Sequence, residues 1–499
     1  MGEVNGSKLE PEFNQSVKIE FSDHRITSNA GVLLLREADF KLELTSSMES
    51  KMTDTREATA IRYQLGDLLR ERVYAMAMGF STQDDADRLA HDPAFRIAVW
   101  NRSGDSVIDE RLASQPTQSR LLKMIALNRC NINALRDGLF QSIHRHIAAT
   151  GNDKRARHAT IDLDSFPIEV HGRQQGSNYN GHYGYTAYHP LVASISVAGS
   201  YDCARNGNRI GNGFIHAILR QGSVHTAKGA GRFVRTVVAL AKRMSYVTDF
   251  RMDAGYTIGT IMDEMKDQNL KFTGRLKGSN KLDELAAPYV GRPVGRPPAQ
   301  GYEYCVELGS YQADAWKYSQ RLILVVVDRP DPVTGQLNLL PHHFFLITNW
   351  SESERSAEQL LDHYRARGTF EDRLGEFNQA IGANLSSQSF EENETTMLMA
   401  LLAFNLANIV RSEHENVQGS CMDLKRFQSQ VLKAGAIVVK HSRRLIVRVA
   451  NSVQYFWHRL TECISDWKLP ARLSVNTAPN RRELRPPPSH AFLTEVIRP

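Results

Sequence analysis

The sequence predicts an α/β protein. A core of mixed strands and helices follows an all-helical N-terminal domain, is interrupted by an antiparallel β insertion, and gives way to a helical, basic C-terminal region. Three observations carry this. From Ser28 to about Ile147 apolar residues recur at three-to-four spacing, the period of a helix buried on one face. At Arg155 the texture changes to short alternating or continuous apolar runs, which read as strands. Helical periodicity returns at Ser353, and the excess of positive charge lies beyond Cys421.

The elements follow in order. Residues 1–22 form a polar, poorly ordered lead. In the helical N-terminal domain, 23–150, expected to bind DNA, long stretches cover Arg56–Gly79 and Ser119–His146. Ser81 or Thr82 can cap a helix over Gln83–His91, and Asp92 can cap another opening at Pro93, since proline suits a first helical turn. The core occupies 155–277 and 351–412. His158–Leu163 alternates and leads into Asp164; Pro190–Val197 and Phe214–Leu219 are β-like; Thr226–Met244 is helical. A strand then ends in Phe250-Arg251-Met252-Asp253, followed by a helix over Ile258–Gln268 and a strand over Leu270–Leu276. Three early strands, a helix, then alternating strand and helix resemble the ribonuclease H-like order. Residues 278–350 break the alternation as a β-rich insertion. They hold the loop Gly291–Pro298, strands at Tyr302–Leu308, Arg321–Val327 and His343–Thr348, and a turn at Asp331–Gly335. Ser353–Ala380 and Glu394–Ser412 are helical again. The region 413–499 reads as helix to about Leu469, with cations of Lys440–Arg448 along one side, then as a flexible end around Arg485–Pro488.

At 499 residues the chain is long enough for about three domains of 100–200 residues. Its 41% hydrophobic and 23% charged content excludes wholesale disorder. The net charge of +6 is unevenly placed: Cys421–Pro499 holds 14 Lys+Arg against 5 Asp+Glu, while the other 420 residues hold 47 against 50. A basic end on a slightly acidic body points to a polyanion such as nucleic acid. The five cysteines, Cys130, Cys203, Cys305, Cys421 and Cys463, form no close pair, so neither a zinc site nor a disulfide framework is expected, and a reducing cytoplasm fits. The start of the chain lacks a secretory pattern. The apolar run Thr395–Val410 is too short to span a membrane and reads as a buried helix.

Chemistry is suggested by acids on separate elements. Asp162 and Asp164 sit two apart in a predicted strand and so face one side. Asp253 ends another strand, and Glu371 lies mid-helix. Converging, such acids would make an oxygen-lined pocket suited to Mg2+, and two ions about 3.5–4 Å apart would serve an in-line phosphoryl displacement. Tyr364, Arg367 and Glu371 are spaced to share one helix face, and a guanidinium there suits a phosphodiester. Spacing alone leaves open that these acids are surface charges and that Arg367 and Glu371 form a plain surface ion pair.

The run Tyr364-Arg365-Ala366-Arg367-Gly368-Thr369-Phe370-Glu371 resembles the tyrosine–arginine–glutamate signature of DDE transposases of bacterial insertion sequences. Ile161–Ser165 resembles their first-aspartate strand and Arg251–Tyr256 their second-aspartate motif. Leu112–Thr117, Ala187–Leu191 and Leu219–His225 resemble one group with a helical front domain and a β insertion before the glutamate. The match runs from about Asp23 to Val410. The resemblance implies a ribonuclease H-like catalytic core in which Asp164, Asp253 and Glu371 are catalytic and hold two Mg2+ ions, with Mn2+ able to substitute. Asp162 is the fallback for Asp164. It implies that Tyr364 and Arg367 contact DNA. The lysine common in the family seven residues after the glutamate is Asn378 here.

The remaining features read structurally: Gly291–Pro298 as a Pro-stiffened loop, Trp316 and Trp350 as packing residues, and His342-His343 as no metal site. The functional expectation is a transposase of the bacterial cytoplasm, associated with the nucleoid and not with a membrane. It would bind double-stranded DNA at the terminal inverted repeats of its element, hydrolyse phosphodiesters there, and join the 3′-hydroxyls to target DNA as a homodimer. The alternative is a catalytically retired transposase that acts as a sequence-specific DNA-binding protein.

Overall fold

Apolar residues at helical spacing build the front of the molecule. A computed structural model describes residues 24–150, 156–197, 212–292, 300–330 and 340–475, with 12–14, 16–17, 295 and 335–336. Most of the 1–22 lead and all of the Pro-rich end lie outside the described residues. After β1 (Arg25–Thr27) come α1 (Val32–Leu42), α2 (Leu44–Glu49), α3 (Leu65–Ala77), α4 (Asp85–Leu89), α5 (Pro93–Val99), α6 (Gln115–Ala126) and α7 (Arg129–Thr150). The Asp92 carboxylate accepts from the amides of Ala94 and Phe95, at 2.9 and 3.0 Å, and starts α5 at Pro93 as the sequence predicts. The helix expected over Arg56–Gly79 is shorter. Arg56 pairs with Asp54 and donates to the Tyr63 carbonyl at 3.0 Å, which folds 54–63 into an irregular segment before α3. The stretch Ser119–His146 is likewise two helices. Asn128 breaks it by accepting from the Cys130 amide at 2.9 Å.

Among the front helices Glu71 is buried at 2% exposure, held by the Gln118 amide nitrogen at 2.9 Å and the Ala113 amide at 3.2 Å. Burial pushes its pKa up to about 8. The folded chain therefore keeps a proton that the unfolded chain loses above the ordinary glutamate range. This stabilisation is complete at low pH and is lost as pH rises through about 8. Glu71→Gln is expected to reduce the loss of stability between pH 5 and pH 8, which urea midpoints at the two pH values would measure.

Eight strands make the main sheet: β2 (Ala156–Ser165), β6 (Leu191–Val197), β7 (Gly213–Ile218), β8 (Ser245–Met252), β9 (Lys271–Leu276), β10 (Tyr302–Tyr311), β11 (Gln320–Asp328) and β12 (His342–Thr348). Their spatial order is β10-β11-β12-β9-β8-β2-β6-β7, with β2–β8 and β8–β9 parallel and the other pairs antiparallel. Helices α8 (Ala230–Met244) and α9 (Gly259–Asp267) supply the parallel crossovers, as the alternation predicts. The strands of 278–350 are antiparallel as expected, yet they continue the main sheet. β12 pairs with β9, Thr348 opposite Thr273, and so covers an edge that would otherwise lie open. A short helix, α10 (Asn280–Ala286), precedes them.

A small sheet, β3 (Ile168–Glu169), β4 (Asn178–Asn180) and β5 (Tyr185–Tyr188), was not legible from periodicity. The loop at Gly222 packs on it. A Cβ there would lie 2.0 Å from the Ala187 carbonyl oxygen and 2.6 Å from that of Asn178. Backbone cannot yield as a side chain tip does, so Gly222→Ala is expected to cost on the order of 3 kcal/mol, read as a lower thermal midpoint.

The chain then forms α11 (Ala357–Arg365), α12 (Gly368–Ala380) and α13 (Phe390–Gln418). The 29-residue α13 packs against α3, α6, α7 and β7. Among the described residues it is the one helix long and apolar enough to cross a membrane, and its apolar window is wholly buried in the protein, as expected of Thr395–Val410. One apolar core runs from Val32 through α13 to Trp467, so the front helices and the end of the chain share an interior.

The helical reading of the basic C-terminal region needs correction. After α14 (Leu424–Phe427), β13 (Ala436–His441) and β14 (Arg444–Val449) form a hairpin, and β13 pairs with β1, Ile26 opposite Ile437. Helix resumes only at α15 (Gln454–Ser465). The β-branched residues Ile437, Val438, Val439, Ile446, Val447 and Val449 favour a pleated strand. Lys440, Arg444 and Arg448, four apart, fit a helix face by coincidence. The deciding partner is β1, near the other end of the chain, which local periodicity does not register. Cys130, Cys305 and Cys463 are free thiols, and Cys203 lies outside the described residues.

Candidate active site

Parallel pairing of β2 with β8, Leu163 opposite Met252, brings the carboxyl ends of the two strands side by side. Asp164 is the penultimate residue of β2, and Asp253 follows β8 directly. Such ends are where open α/β sheets place ligands. The joint between α11 and α12 lies over them. The sequence places Glu371 mid-helix, on one helical face with Tyr364 and Arg367; the structure differs. Three-residue bonds at the joint, Arg367 amide to Tyr364 carbonyl at 2.9 Å and Phe370 amide to Arg367 carbonyl at 2.8 Å, divide the run into two helices. Arg367 caps α12, and Glu371 sits in its first turn.

Three of the five expected residues are joined by ion pairs, and Asp253 and Tyr364 lie within their electrostatic reach. The Arg367 guanidinium pairs with both Asp164 and Glu371. The charges of Asp164, Asp253, Tyr364 and Glu371 raise its pKa, overcoming the opposing effect of burial. Asp164 also accepts from the Ser165 amide at 2.8 Å. Burial pushes its pKa up to about 6, Arg367 and the Ser165 amide oppose this, and the charges of Asp253 and Glu371 add to it. Tyr364 is half-buried in the same field, its pKa pushed up to about 12 by burial. Glu371 is the open side of the group, 63% exposed.

Asp162 faces the same side but is spent elsewhere. It is wholly buried and takes two bonds from Arg251, at 2.8 and 2.6 Å. Arg251 also donates to the His363 carbonyl in α11 at 3.1 Å. One buried guanidinium thus ties β2 and β8 to the helix that carries Tyr364. Nothing in the spacing points to this role of Arg251, although it sits inside the second-aspartate motif. Tyr183 was missed as well. It is half-buried, and the charges of Asp164 and Asp253 add to the rise that burial gives its pKa. Its only signal is the aromatic run Tyr179, Tyr183, Tyr185 and Tyr188.

Asn378 is exposed on α12, while Arg373 is buried, donating to Ser194 Oγ at 2.7 Å and Ser196 Oγ at 3.2 Å in β6. Arg373 therefore does not stand in for the family's lysine. Arg292 of the Gly-Arg-Pro loop pairs with Asp328 at 2.7 Å. Trp350 is half-buried under the guanidinium of Arg355, 4.2 Å from the ring centre.

The carboxylates of Asp164, Asp253 and Glu371 are hard oxygen donors of the kind divalent cations take. Among the described residues no three acidic, imidazole or thiolate groups converge closely enough to hold a cation as they stand. What the three acids share is the charge of Arg367.

The family model described as transposase DDE domain group 1 matches residues 9–466. Among solved structures, a cryo-EM structure of the piggyBac transposase synaptic complex with hairpin DNA aligns with a TM-score of 0.41 at 13% identity, over 80% of this chain and 78% of that one. No curated protein matches the chain.

Proposed function

Because the chain belongs to the transposase DDE domain group 1 family, and is thus an enzyme of DNA transposition, we propose that it acts on the ends of a bacterial insertion sequence. It binds the terminal inverted repeats, hydrolyses a phosphodiester at each end, and joins the freed 3′-hydroxyls to target DNA. The observation that carries this reading is the gathering of Asp164, Asp253 and Glu371 around Arg367 at the ends of two parallel strands.

In this reading Asp164, Asp253 and Glu371 are the ligands of two Mg2+ ions, for which Mn2+ can substitute. Bound there, the ions would activate the attacking oxygen and stabilise the leaving one. The chain's own residues do the positioning. Arg367 would leave the carboxylates for a DNA phosphate, which it can bind through two parallel hydrogen bonds. Tyr364, beside it, would offer its hydroxyl to a neighbouring phosphate oxygen. The partly buried corner limits water around the reacting bond. Two ends must be processed together, so the working form is a homodimer on double-stranded DNA in the bacterial cytoplasm, associated with the nucleoid.

A purified chain given a duplex bearing its own element end is expected to nick it in Mg2+ or Mn2+ and to leave a 3′-hydroxyl. Specific binding without nicking in either ion would overturn the catalytic reading. The retired, DNA-binding transposase would then stand, a reading favoured here by Asn378 in place of lysine.

A further inference from the structure

A second cationic feature lies among the front helices, built from other residues than the carboxylate corner. A cavity of about 460 Å³ is lined by four arginines, Arg56, Arg62, Arg111 and Arg120, and by no carboxylate. Two of the four are committed. Arg56 pairs with Asp54 at 2.6 Å, and Arg111 reaches Asp87 at 3.3 Å. Arg62 and Arg120 are exposed and make no ion pair among the described residues; Arg62 rests over the Tyr63 ring, 5.3 Å from its centre.

The wall between them is fixed in advance. Tyr63 stacks on Trp100, with centroids 5.7 Å apart, and its hydroxyl donates to the Leu112 carbonyl at 3.2 Å. Arg56 holds the Tyr63 carbonyl at 3.0 Å. Leu68, Leu112 and Leu121 give the cavity an apolar floor, and Ser114 and Thr117 add hydroxyls. Guanidiniums without counter-ions above an apolar floor suit a ligand with an anionic and an apolar part. The volume lies within the range of small-ligand sites, about 300–1,000 Å³.

We infer that this cavity receives one nucleotide unit of a DNA strand, its phosphate between Arg62 and Arg120 and its sugar and base against the leucines. The inference rests on the DNA-end reading of the carboxylate site and adds a contact on the front helices. It anchors the strand by charge and takes no part in the chemistry.

The test uses the full chain. The double variant Arg62→Ala/Arg120→Ala is expected to bind an end-bearing duplex at least about 10-fold more weakly at 0.1 M salt. Its log Kd against log salt should be shallower by about 0.9, for the one phosphate no longer neutralised. Arg62→Lys/Arg120→Lys should keep most of the slope. In a separate Thr117→Cys chain, maleimide labelling of the new thiol should slow on adding duplex or a single-stranded oligonucleotide, and not on adding inorganic phosphate at equal phosphate concentration. Wild-type affinity and slope in the alanine variant, or labelling untouched by DNA, would overturn the pocket alone. Protection by inorganic phosphate as strong as by DNA would overturn the strand as its ligand. Failure of the wild-type chain to bind any duplex would overturn the DNA-end reading and the pocket together.

Discussion

Asp164→Ala, Asp253→Ala and Glu371→Ala are each expected to lower strand cleavage on an element-end duplex by on the order of 10³-fold or more, with end binding retained. The size follows from what each carboxylate is proposed to do. If all three hold the same ions, removing one loses the arrangement and not a third of it, so the double variants should be no worse than the singles. The geometry adds a qualification by residue. Glu371 is exposed and its loss leaves the fold intact, whereas removing Asp164 leaves the buried head of Arg367 without one of its two ion-pair partners. Asp164→Asn, which retains the shape, is therefore the cleaner variant. Cleavage by Asp164→Asn and Asp253→Ala at the wild-type rate in Mg2+ would remove both from the metal site.

Arg251→Ala is expected to destabilise the chain by about 3–5 kcal/mol, because it leaves the buried Asp162 carboxylate without its partner. Asp162→Ala should cost a similar amount by stranding the guanidinium. Replacing both, as Asp162→Leu/Arg251→Met, should recover much of the loss, since an apolar pair of similar volume needs no desolvation of charge. Urea denaturation of the three variants measures this. The double variant should still cleave poorly, because Arg251 also holds the His363 carbonyl and thereby the helix bearing Tyr364. A stable double variant with full cleavage would show that the pair serves stability alone.

Much of this was readable from the residues. The strand–helix alternation from His158 to Leu276, the cap at Asp92 and the buried apolar helix follow from periods and turn chemistry acting over a few residues. Asp164 and Asp253 were legible as strand-end acids and Glu371 as a helical one. That they share Arg367 was not, because a guanidinium bridging Asp164 and Glu371 depends on elements 203 residues apart in the chain. The break at Arg367 escaped for a different reason: Tyr364–Glu371 carries helical spacing throughout, and the change to three-residue bonds is a matter of local winding. The C-terminal hairpin failed most plainly. Its cations repeat every four residues, and its pairing strand comprises three residues near the start.

The three-stranded sheet at β1 has a consequence for the order of assembly during synthesis. Strand β1 is among the first described segments to leave the ribosome, yet its partner β13 is completed only at His441. At roughly 5–20 residues per second the early strand waits tens of seconds with its edge unpaired. The helices of the front layer can collapse meanwhile, but they close around a gap that α13 and α15 fill late. A nascent chain stalled before the hairpin should therefore remain sensitive to protease at residues 25–42, and protection should arrive once the hairpin and α15 have emerged. The front layer is thus completed by residues more than 400 positions away in the chain.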